Sequence, residues 1–446
     1  MKKIFLALTI VFSSVCFAGA ETLTLDQARL LALANSRVLA NDNLAVKSSQ
    51  LNERTWFYKY LPNPSASVVS QSVWNSDAGE RSLLDILNPT VKLSVSETIS
   101  FDGGKNVVTQ TLNRIAVEMA EKNMQVDYFE ILDAADKAYY NLVEAAASLE
   151  SAESALQTAE LSLSIAEVRS ASGMMNTGDY LQALAEKETS ENARNQAKRY
   201  LLLKGVELRN LTGLKEAPVP EAVDFAAYEE LLRGLAALSD EETGALYVSL
   251  LKTAAVNNPA LARAALLNQQ REKEISSATW GYAPTLSATL STGLNYSAVN
   301  GLSPFAGNLD LSVTIPLDFW VKAKAVTNAK IARDQAALEY LNTEVNLEFQ
   351  LQTALLDLIT QAGSVLSSRR SYDYAEKHFE YVMELFRLSQ NSVSALSDAS
   401  ELVGSSRNRL ISSQHGFLLS LSTIRKLGAF AEEDALTALL LSASIR

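Results

Sequence analysis

The chain has 446 residues, a formal net charge of −12 and a hydrophobic fraction of 48%. The acidic balance excludes nucleic acid as an ordinary partner, because binding phosphates requires a basic face. Only nine residues are proline, which is too few for a disordered protein and favours long uninterrupted helices. After the N-terminal segment, no apolar run is long enough for a transmembrane helix.

The segment at 1–20 is predicted to be a secretory signal peptide. Two lysines precede an apolar stretch at 4–15, and an A-x-A cleavage site ends at Ala20. The apolar stretch is too short to be a membrane anchor. The single cysteine, Cys16, is a candidate lipid acceptor, although Val15 is bulky where lipoprotein signals have a small residue. Without disulfides, packing or oligomerisation must hold the exported chain together.

The region at 21–213 is predicted to be the first of two copies of one structural unit. Helical periodicity covers 25–60, and two stretches of alternating apolar and polar residues then predict strands. The segment at 105–171 contains neither glycine nor proline, and as a helix it would be about 100 Å long at about 1.5 Å per residue. Leucine alternates with alanine along one face of it, which is typical of coiled-coil packing. The predicted elements are strands at about 65–74 and 90–101 and helices at about 105–171 and 179–211.

A second copy at 244–430 repeats the same order of elements. Similar segments place Pro284 at an offset of 222 from Pro62, and Asp318 at an offset of 216 from Asp102. The predicted elements are strands at about 286–297 and 309–317 and helices at about 322–388 and 397–427. The remaining predicted segments are an acidic connector at 214–243 with one short helix, and a brief, loosely held tail at 431–446.

The alternating strands have one apolar and one polar face, which is typical both of bilayer-spanning strands and of soluble sheets with one wet face. Aromatic residues at both strand ends favour the membrane, because they form the interfacial belts of barrels. Membrane strands must close into a barrel, and four strands are too few for one chain, since the smallest barrels have about eight. The sequence therefore predicts an oligomer with Val91, Leu93 and Val95 facing lipid and with Lys92 and Ser94 facing the lumen. The aromatic residues are Tyr58, Tyr60, Phe101, Trp280, Tyr282, Phe319 and Trp320 at one end and Trp74, Tyr296 and Phe305 at the other.

The segment SFDGGK places Asp102 as a helix cap and Gly103 and Gly104 in a strand-to-helix turn. The chain resembles the TolC-type outer-membrane efflux proteins. The resemblance rests on this segment, on the duplication, on the signal peptide and on the segments LDQARLLALANS, YLPNPSASV and YAPTLSATL. The resemblance covers essentially the whole mature chain. It implies a mainly α fold with a β-barrel part, formed by a trimer. Each subunit would give four strands to a twelve-stranded outer-membrane barrel and its long antiparallel helices to a periplasmic α-helical barrel.

The turns between the paired long helices resemble the family's helix tips, which usually read G-x-x-S-x-x-D-V-L-D-A. The first copy keeps Gly173 and Asp179, whereas the second copy has Ala395 in place of the first acid and keeps Asp398. The resemblance implies a periplasmic gate, or pore constriction, at Asp398 and Asp179. Because these turns are the breaks in otherwise continuous helices, they are also predicted to dock a periplasmic adaptor. The predicted docking residues are Arg169, Ser172, Gly173, Arg387, Ser389 and Ser392.

No catalytic, cofactor or metal site is predicted. The two histidines, His378 and His415, lie far apart on long helices, and no cysteine of the mature chain accompanies them. The sequence has no phosphate-binding loop, dinucleotide motif or hydrolase elbow. Acidic residues are interpreted as solvated helix faces, paired at best with a lysine or arginine one turn away.

The predicted function is a passive outer-membrane exit duct of a tripartite efflux or type I secretion system. The resemblance implies that a periplasmic adaptor and an inner-membrane pump deliver the substrate, and that the pump supplies the energy. One alternative is a structural or adhesive outer-membrane protein that spans the periplasm without transport. A second is a soluble exported coiled-coil scaffold. No residue pattern identifies the cargo.

Overall fold

The structure, a computed structural model, describes residues 22–61, 63–70, 89–173, 175–297, 301–302, 306–388, 390–431 and 433–444. Several predictions therefore lie outside the described residues. They concern the signal peptide with Cys16, the end of the first predicted strand with Trp74, the aromatic Phe305 and the tip residue Ser389.

The fold is mainly α-helical with one small sheet and contains two tandem copies of the same order of elements, which confirms the predicted mainly α fold with two repeats. The first copy contains α1 (Leu25–Asn35), α2 (Arg37–Thr55), a 3-10 turn (Trp56–Tyr60), β1 (Asn63–Ser70), β2 (Pro89–Phe101), α3 (Lys105–Ala171) and α4 (Thr177–Thr212). Then come α5 (Glu229–Ala236), α6 (Asp240–Asn257), α7 (Pro259–Thr279), a 3-10 turn (Trp280–Tyr282), β3 (Thr285–Ser297), β4 (Gly301–Leu302), β5 (Ala306–Thr314), α8 (Phe319–Arg387), α9 (Val393–Gly428) and α10 (Glu433–Ser444).

The opening helix of each copy is interrupted at an equivalent residue. Sequence periodicity predicted one helical stretch over 25–60, but the Ser36 hydroxyl accepts a hydrogen bond from the Leu39 amide at 3.2 Å and caps a new helix. Asn258, at an offset of 222 from Ser36, does the same for α7. Its side-chain oxygen accepts from the Ala260 and Leu261 amides at 2.9 and 3.1 Å.

Several element ends differ from the predicted bounds because of capping and of proline. The second copy's paired helices begin earlier than predicted, and at α9 the Ser392 hydroxyl accepts from the Ala395 amide at 3.2 Å. The last strand, predicted to continue to 317, ends at Thr314. Pro316 has no amide hydrogen with which to continue the ladder.

The chain divides into two compact units, of which one comprises 42–123 and 262–342 and holds the sheet. The sheet is antiparallel, in the order β1, β2, β3, and β3 pairs on its other side with β4 and β5. In this register Leu93 lies opposite both Ala66 and Leu294. Directly opposite residues share a face of the sheet, so the register places the apolar residues of neighbouring strands together.

The other unit is helical and holds most of the buried apolar side chains of the described residues. Leucine, isoleucine and phenylalanine side chains from both copies are almost completely buried there, and most of them come from the long helices. The largest are Leu142, Leu208, Leu235, Leu246, Leu250, Leu351, Leu355, Leu358, Phe386, Leu396, Phe417 and Ile424.

A buried ionic network in the helical unit corrects the interpretation of the acids as solvated faces. The Asp136 carboxylate, 1% exposed, accepts from Arg29 at 2.6 and 3.0 Å and from Arg425 at 2.9 Å. Ser422 donates to Asp136 and to the neighbouring Asp133, in both cases at 3.2 Å. Because these partners lie 107 and 289 residues from Asp136 in sequence, the network ties α1 and α9 to α3.

The connector and the tail are packed, which was not predicted for the tail. The Tyr139 hydroxyl donates to the carbonyl oxygens of Leu23 and Glu221, each at 3.1 Å, and burial raises its pKa to about 12. The tail contains α10, whose Leu436 and Leu440 are completely buried. This helix packs on α5 and α6, because its two leucines are one helical turn apart and form an apolar stripe.

Candidate functional sites

One face of the sheet carries hydroxyl groups that contact each other across neighbouring strands. Residues directly opposite each other share a face, so the register places these hydroxyls on the same face of all the longer strands. The hydroxyl oxygen pairs are Ser65–Ser94 at 2.9 Å, Thr98–Thr289 at 3.0 Å and Ser287–Ser312 at 2.6 Å. A surface rich in neutral hydroxyl groups suits contact with water.

Two charged residues share this polar face at different heights. Lys92 lies opposite Asn295 on β3, and Asp310 lies opposite Thr289 nearer the helices. The predicted lumen residues Lys92 and Ser94 are thus on the polar face. Glu97 lies opposite Leu290 on the other face of the sheet. An acid on that face was not predicted from the sequence.

The opposite face of the sheet is apolar and exposed. Val91, Leu93 and Val95, predicted to face lipid, lie on it with exposed fractions of 44%, 53% and 38%. Leu309 and Leu311 on β5 are exposed to 64% and 71%. Although it includes Glu97, an exposed apolar face of this kind requires cover by lipid or by another chain.

The first strand-to-helix turn has the geometry that its glycines predict. The Asp102 carboxylate accepts from the Asn106 amide at 3.1 Å and caps α3. Gly103 and Gly104 have φ values of +68° and +107°, a backbone conformation that residues other than glycine rarely adopt. A Cβ atom at Gly103 would lie 2.9 Å from the ring of Trp280. The turn is therefore fixed by contact with the second copy.

The predicted gate residue Asp179 forms a local cap at the start of α4. Its amide donates to the Asn176 side-chain oxygen at 2.8 Å, and its carboxylate accepts from the Asn176 amide group at 2.9 Å. Gly173, in the preceding turn, has a φ of +67° and no neighbour near the position of a Cβ. Ser172 is exposed beside it.

The two predicted docking arginines have different surroundings. The Arg169 guanidinium lies 4.4 Å from the centre of the Phe386 ring and donates to the Phe386 carbonyl oxygen. It therefore satisfies a carbonyl at the end of α8 in addition to stacking on the ring. Arg387 is exposed, and its nearest acid, Glu384, is 3.9 Å away. Of these two residues, only Arg387 has its charged group largely in solvent.

Beneath the turns lies an apolar cluster, the tip cluster, which joins the ends of the four long helices. Phe386 is completely buried within it. Its buried members are Ala166, Ala183, Val382, Met383, Phe386, Val393, Leu396 and Ala399.

The predicted gate residue Asp398 is exposed on α9 and belongs to an acidic group that the sequence did not predict. Glu186 on α4 is half-buried, and burial raises its pKa, to which the negative charges of Asp398 and Glu401 add. A hydrogen bond with Ser397 acts in the opposite direction. The structure thus brings Asp398 together with Glu186 and Glu401, while Asp179 is engaged in its own cap. Glu186 could not be found from spacing, since it lies on another helix.

His415 is a packing residue rather than a ligand in the described part of the chain. Its Nε2 lies 2.8 Å from the Asn141 side-chain oxygen, and burial lowers its pKa. No group of histidine, cysteine and acidic residues that could hold a metal ion occurs among the described residues.

The fold matches solved structures of outer-membrane channels over most of both chains. The Campylobacter jejuni CmeC outer membrane channel is 16% identical with a TM-score of 0.74, covering 95% of this chain and 90% of CmeC. VceC from Vibrio cholerae is 18% identical with a TM-score of 0.71, covering 91% and 96%. The open state of the Neisseria gonorrhoeae MtrE channel is 15% identical with a TM-score of 0.71, covering 91% and 88%.

The family model described as "Outer membrane efflux protein" matches residues 72–214 and 250–427. The chain therefore belongs to the outer membrane efflux protein family, and the suggested TolC-type resemblance is confirmed. No curated protein matches the chain in sequence. In the part of the chain that the structure describes, no helix is both long and apolar enough to cross a membrane.

Proposed function

We propose that three copies of this chain form an outer-membrane exit duct that carries substrates passively from a periplasmic adaptor and an inner-membrane pump to the outside. The observation that carries the proposal is the two-faced sheet. Its apolar face is exposed, and its other face is a ladder of hydroxyls. A sheet with these two faces suits a barrel wall between lipid and water.

The sheet edges support closure with further copies. Among the described residues β1 pairs only with β2, and β5 pairs only with β3. Unpaired strand edges cannot stand in hydrocarbon, where no water satisfies their backbone groups. The short β4 and β5 pair with successive parts of β3 and count as one strand position, which gives four positions in each copy. Joining β5 of one copy to β1 of the next closes the sheet without edges, and three copies would give twelve strands.

The long helices also have apolar residues that a single chain leaves exposed. On α8, Leu338, Leu341, Val345 and Phe349 are each more than half exposed and are spaced by three and four residues. This spacing forms one stripe along the helix. Such a stripe would be covered by the helices of a neighbouring copy, as in a helical barrel.

The partners follow from the family and from the chemistry that the chain lacks. No nucleotide-binding motif is present, so the energy for transport has to come from another protein. The exposed Arg387 at the helix tips supports adaptor docking there, together with Ser172 and Ser392. Arg169, whose charge is engaged by Phe386, supports the shape of the tip instead.

The gate is proposed at Asp398, with Glu186 and Glu401 beside it. In a trimer these acids would be repeated around the axis, and repelling carboxylates that lie close together attract multivalent cations. A trivalent cation added from the periplasmic side should therefore block single-channel current. Asp398→Ala should weaken the block without loss of trimer, whereas undiminished block would contradict this gate.

Two matched variants of the sheet test the barrel. Leu93→Arg places a charge on the apolar face and should cost about 2–4 kcal/mol of barrel stability near the bilayer midplane. Ser94→Arg, at the next residue, places the same charge on the polar face and should leave the trimer intact. For both variants, the amount of heat-sensitive trimer is measured on gels after membrane fractionation. Equal loss of trimer for the two variants would contradict the assignment of the faces.

A conductance measurement distinguishes an exit duct from the alternative functions. Purified trimer in planar bilayers should show ion current if the barrel and helices enclose a pore. A structural or adhesive protein would partition into the outer membrane without current. A soluble scaffold would remain in the periplasmic fraction.

A further inference from the structure

The 3-10 turn Trp280–Tyr282 lies at the junction of sheet and helices, close to the starts of α3 and α8. The Trp280 ring covers the Gly103–Gly104 turn, where a Cβ at Gly104 would lie 3.1 Å from it, and Lys105 is the next residue. In the same 3-10 turn, a Cβ at Gly281 would lie 3.6 Å from Cδ of the Lys322 side chain. The first turns of α3 and α8, which carry Lys105 and Lys322, therefore both adjoin this 3-10 turn.

The aromatic side chains of this junction are exposed to an unusual extent. Trp280 is 44% exposed, Tyr282 36% and Trp320, at the start of α8, 74%. Large aromatic rings with a polar edge prefer the boundary between headgroups and acyl chains. At the same end of the sheet, Phe101 and Leu286 lie opposite each other on the apolar face.

The junction is basic although the chain as a whole has a net charge of −12. The first turns of α3 and α8 carry Lys105, Lys322 and Lys324, and the acids that precede these helices are Asp102 and Asp318. The Asp102 carboxylate is occupied by the Asn106 amide at 3.1 Å. Asp318 forms an ion pair with Lys322 at 3.6 Å, longer than a hydrogen bond and partly exposed, so that a phosphate group can compete for the ammonium group.

We infer that the junction binds the headgroup of an anionic phospholipid, with its phosphate between Lys105 and Lys322 and its glycerol and upper acyl carbons along Trp280. The inference rests on the proposed function, because it needs the sheet to enter a bilayer. Lysines next to a membrane surface attract anionic lipids. The adjoining apolar sheet face selects a lipid over a free phosphate ion.

Quenching of Trp280 fluorescence by brominated lipids tests the inference. The full chain with Trp56→Phe, Trp74→Phe and Trp320→Phe leaves Trp280 as the single emitter. It would be reconstituted into phosphatidylcholine vesicles in which either a small fraction of phosphatidylglycerol or the same fraction of phosphatidylcholine is brominated. We expect several-fold stronger quenching by brominated phosphatidylglycerol. Lys105→Gln with Lys322→Gln should bring the two lipids to equal quenching.

The matched control is Lys330→Gln, an exposed lysine eight residues further along α8 than Lys322, which should keep the preference. A second measurement needs no tryptophan changes: phosphatidylglycerol that co-purifies with the otherwise unchanged trimer should fall in the double lysine variant. Equal quenching by both lipids, or a preference that survives the double variant, would overturn the inference. Displacement by inorganic phosphate at constant ionic strength would show a free-phosphate site instead. Absence of quenching by either lipid would mean that the sheet does not enter bilayers, and the proposed function itself would fail.

Discussion

The two copies have the same backbone plan and different side-chain contacts. Helices α4 and α9 each have 36 residues, and an offset of 216 places Thr177 on Val393. Yet most of the tip cluster comes from the second copy, and the first contributes only Ala166 and Ala183 to its buried part. The duplication has kept the length and the breaks of the helices, while each copy has acquired its own stabilising contacts.

The ionic network shows the same divergence. Asp136 is buried, whereas Gln352, its equivalent at an offset of 216, is exposed. Arg29 corresponds at an offset of 222 to Leu251, which cannot form an ion pair. No equivalent network can therefore form around Gln352 and Leu251, so that substitutions at equivalent positions should have unequal effects.

The largest difference between equivalent positions is expected at Asp136. Asp136→Ala leaves the guanidinium groups of Arg29 and Arg425 without their buried partner and should destabilise the protein by about 3–5 kcal/mol. Gln352→Ala should change stability by less than about 0.5 kcal/mol, since it is an exposed site. Urea unfolding of the detergent-solubilised trimer, followed by circular dichroism, measures both.

A double variant checks that the Asp136 effect comes from the network. Asp136→Ala with Arg425→Met should lose less stability than the sum of the two single changes, because the partners are coupled. Additive losses would mean that each residue acts through its own packing.

Arg169 and Arg387 sharpen the comparison at the tips. Arg169→Ala removes a cation–π contact and a donor to the Phe386 carbonyl, and should cost about 1–2 kcal/mol. Arg387→Ala should cost less than about 0.5 kcal/mol because its ion pair is exposed. The same unfolding assay measures the loss of stability, and crosslinking to the adaptor measures docking. Together they distinguish a residue that stabilises the tip from one that binds the adaptor. A docking defect in Arg169→Ala at unchanged stability would restore Arg169 to the docking surface.

The repeated frame could be predicted from the sequence because its signals are local. The segment at 105–171 lacks helix breakers, and alternation along β2 and β3 defines two faces whatever the partner strand. The contacts that distinguish the copies are not local. The pairing of Asp136 with Arg425 spans 289 residues, and Glu186 approaches Asp398 only after the helices pack. Burial of Leu436 and Leu440 likewise depends on α5 and α6, so the C-terminal helix was not predicted.

A pH-dependent effect is expected at Glu186, whose second-copy equivalent is Leu402. Burial raises the pKa of Glu186 above its ordinary value of 4.5. A raised pKa means that its contribution to stability is complete below pH 4.5 and is lost as the pH rises through the folded-state pKa. Glu186→Gln, which stays neutral, should therefore stabilise the protein at pH 7 by less than about 1 kcal/mol, after allowance for partial exposure.

This gain should vanish near pH 4. Melting temperatures of the variant and the unchanged protein between pH 4 and 8 measure it, with Glu188→Gln, an exposed acid on the same helix, as the control. A stabilisation that is independent of pH would show that charge is not its cause.

The smallest effect is expected for a substitution that makes the helix tip of the second copy resemble that of the first. Ala395 occupies the position of Asp179, and its amide already donates to the Ser392 hydroxyl at 3.2 Å. Ala395→Asp would add a carboxylate near the helix N-terminus, where an acid contributes about 0.3–1 kcal/mol. Ala395 also packs against the tip cluster, so part of the new charge is buried, which reduces the gain. The remaining gain in stability should be about 0.3 kcal/mol, measurable as a small rise in melting temperature.

In the proposed trimer the added acid is one turn from Asp398 and should strengthen block by trivalent cations. Ala395→Asn is the matched control, because it offers a similar cap without charge and should leave the block unchanged. A loss of stability beyond about 1 kcal/mol in Ala395→Asp would instead show that contact with the tip cluster, not capping, determines which residue the second copy carries there.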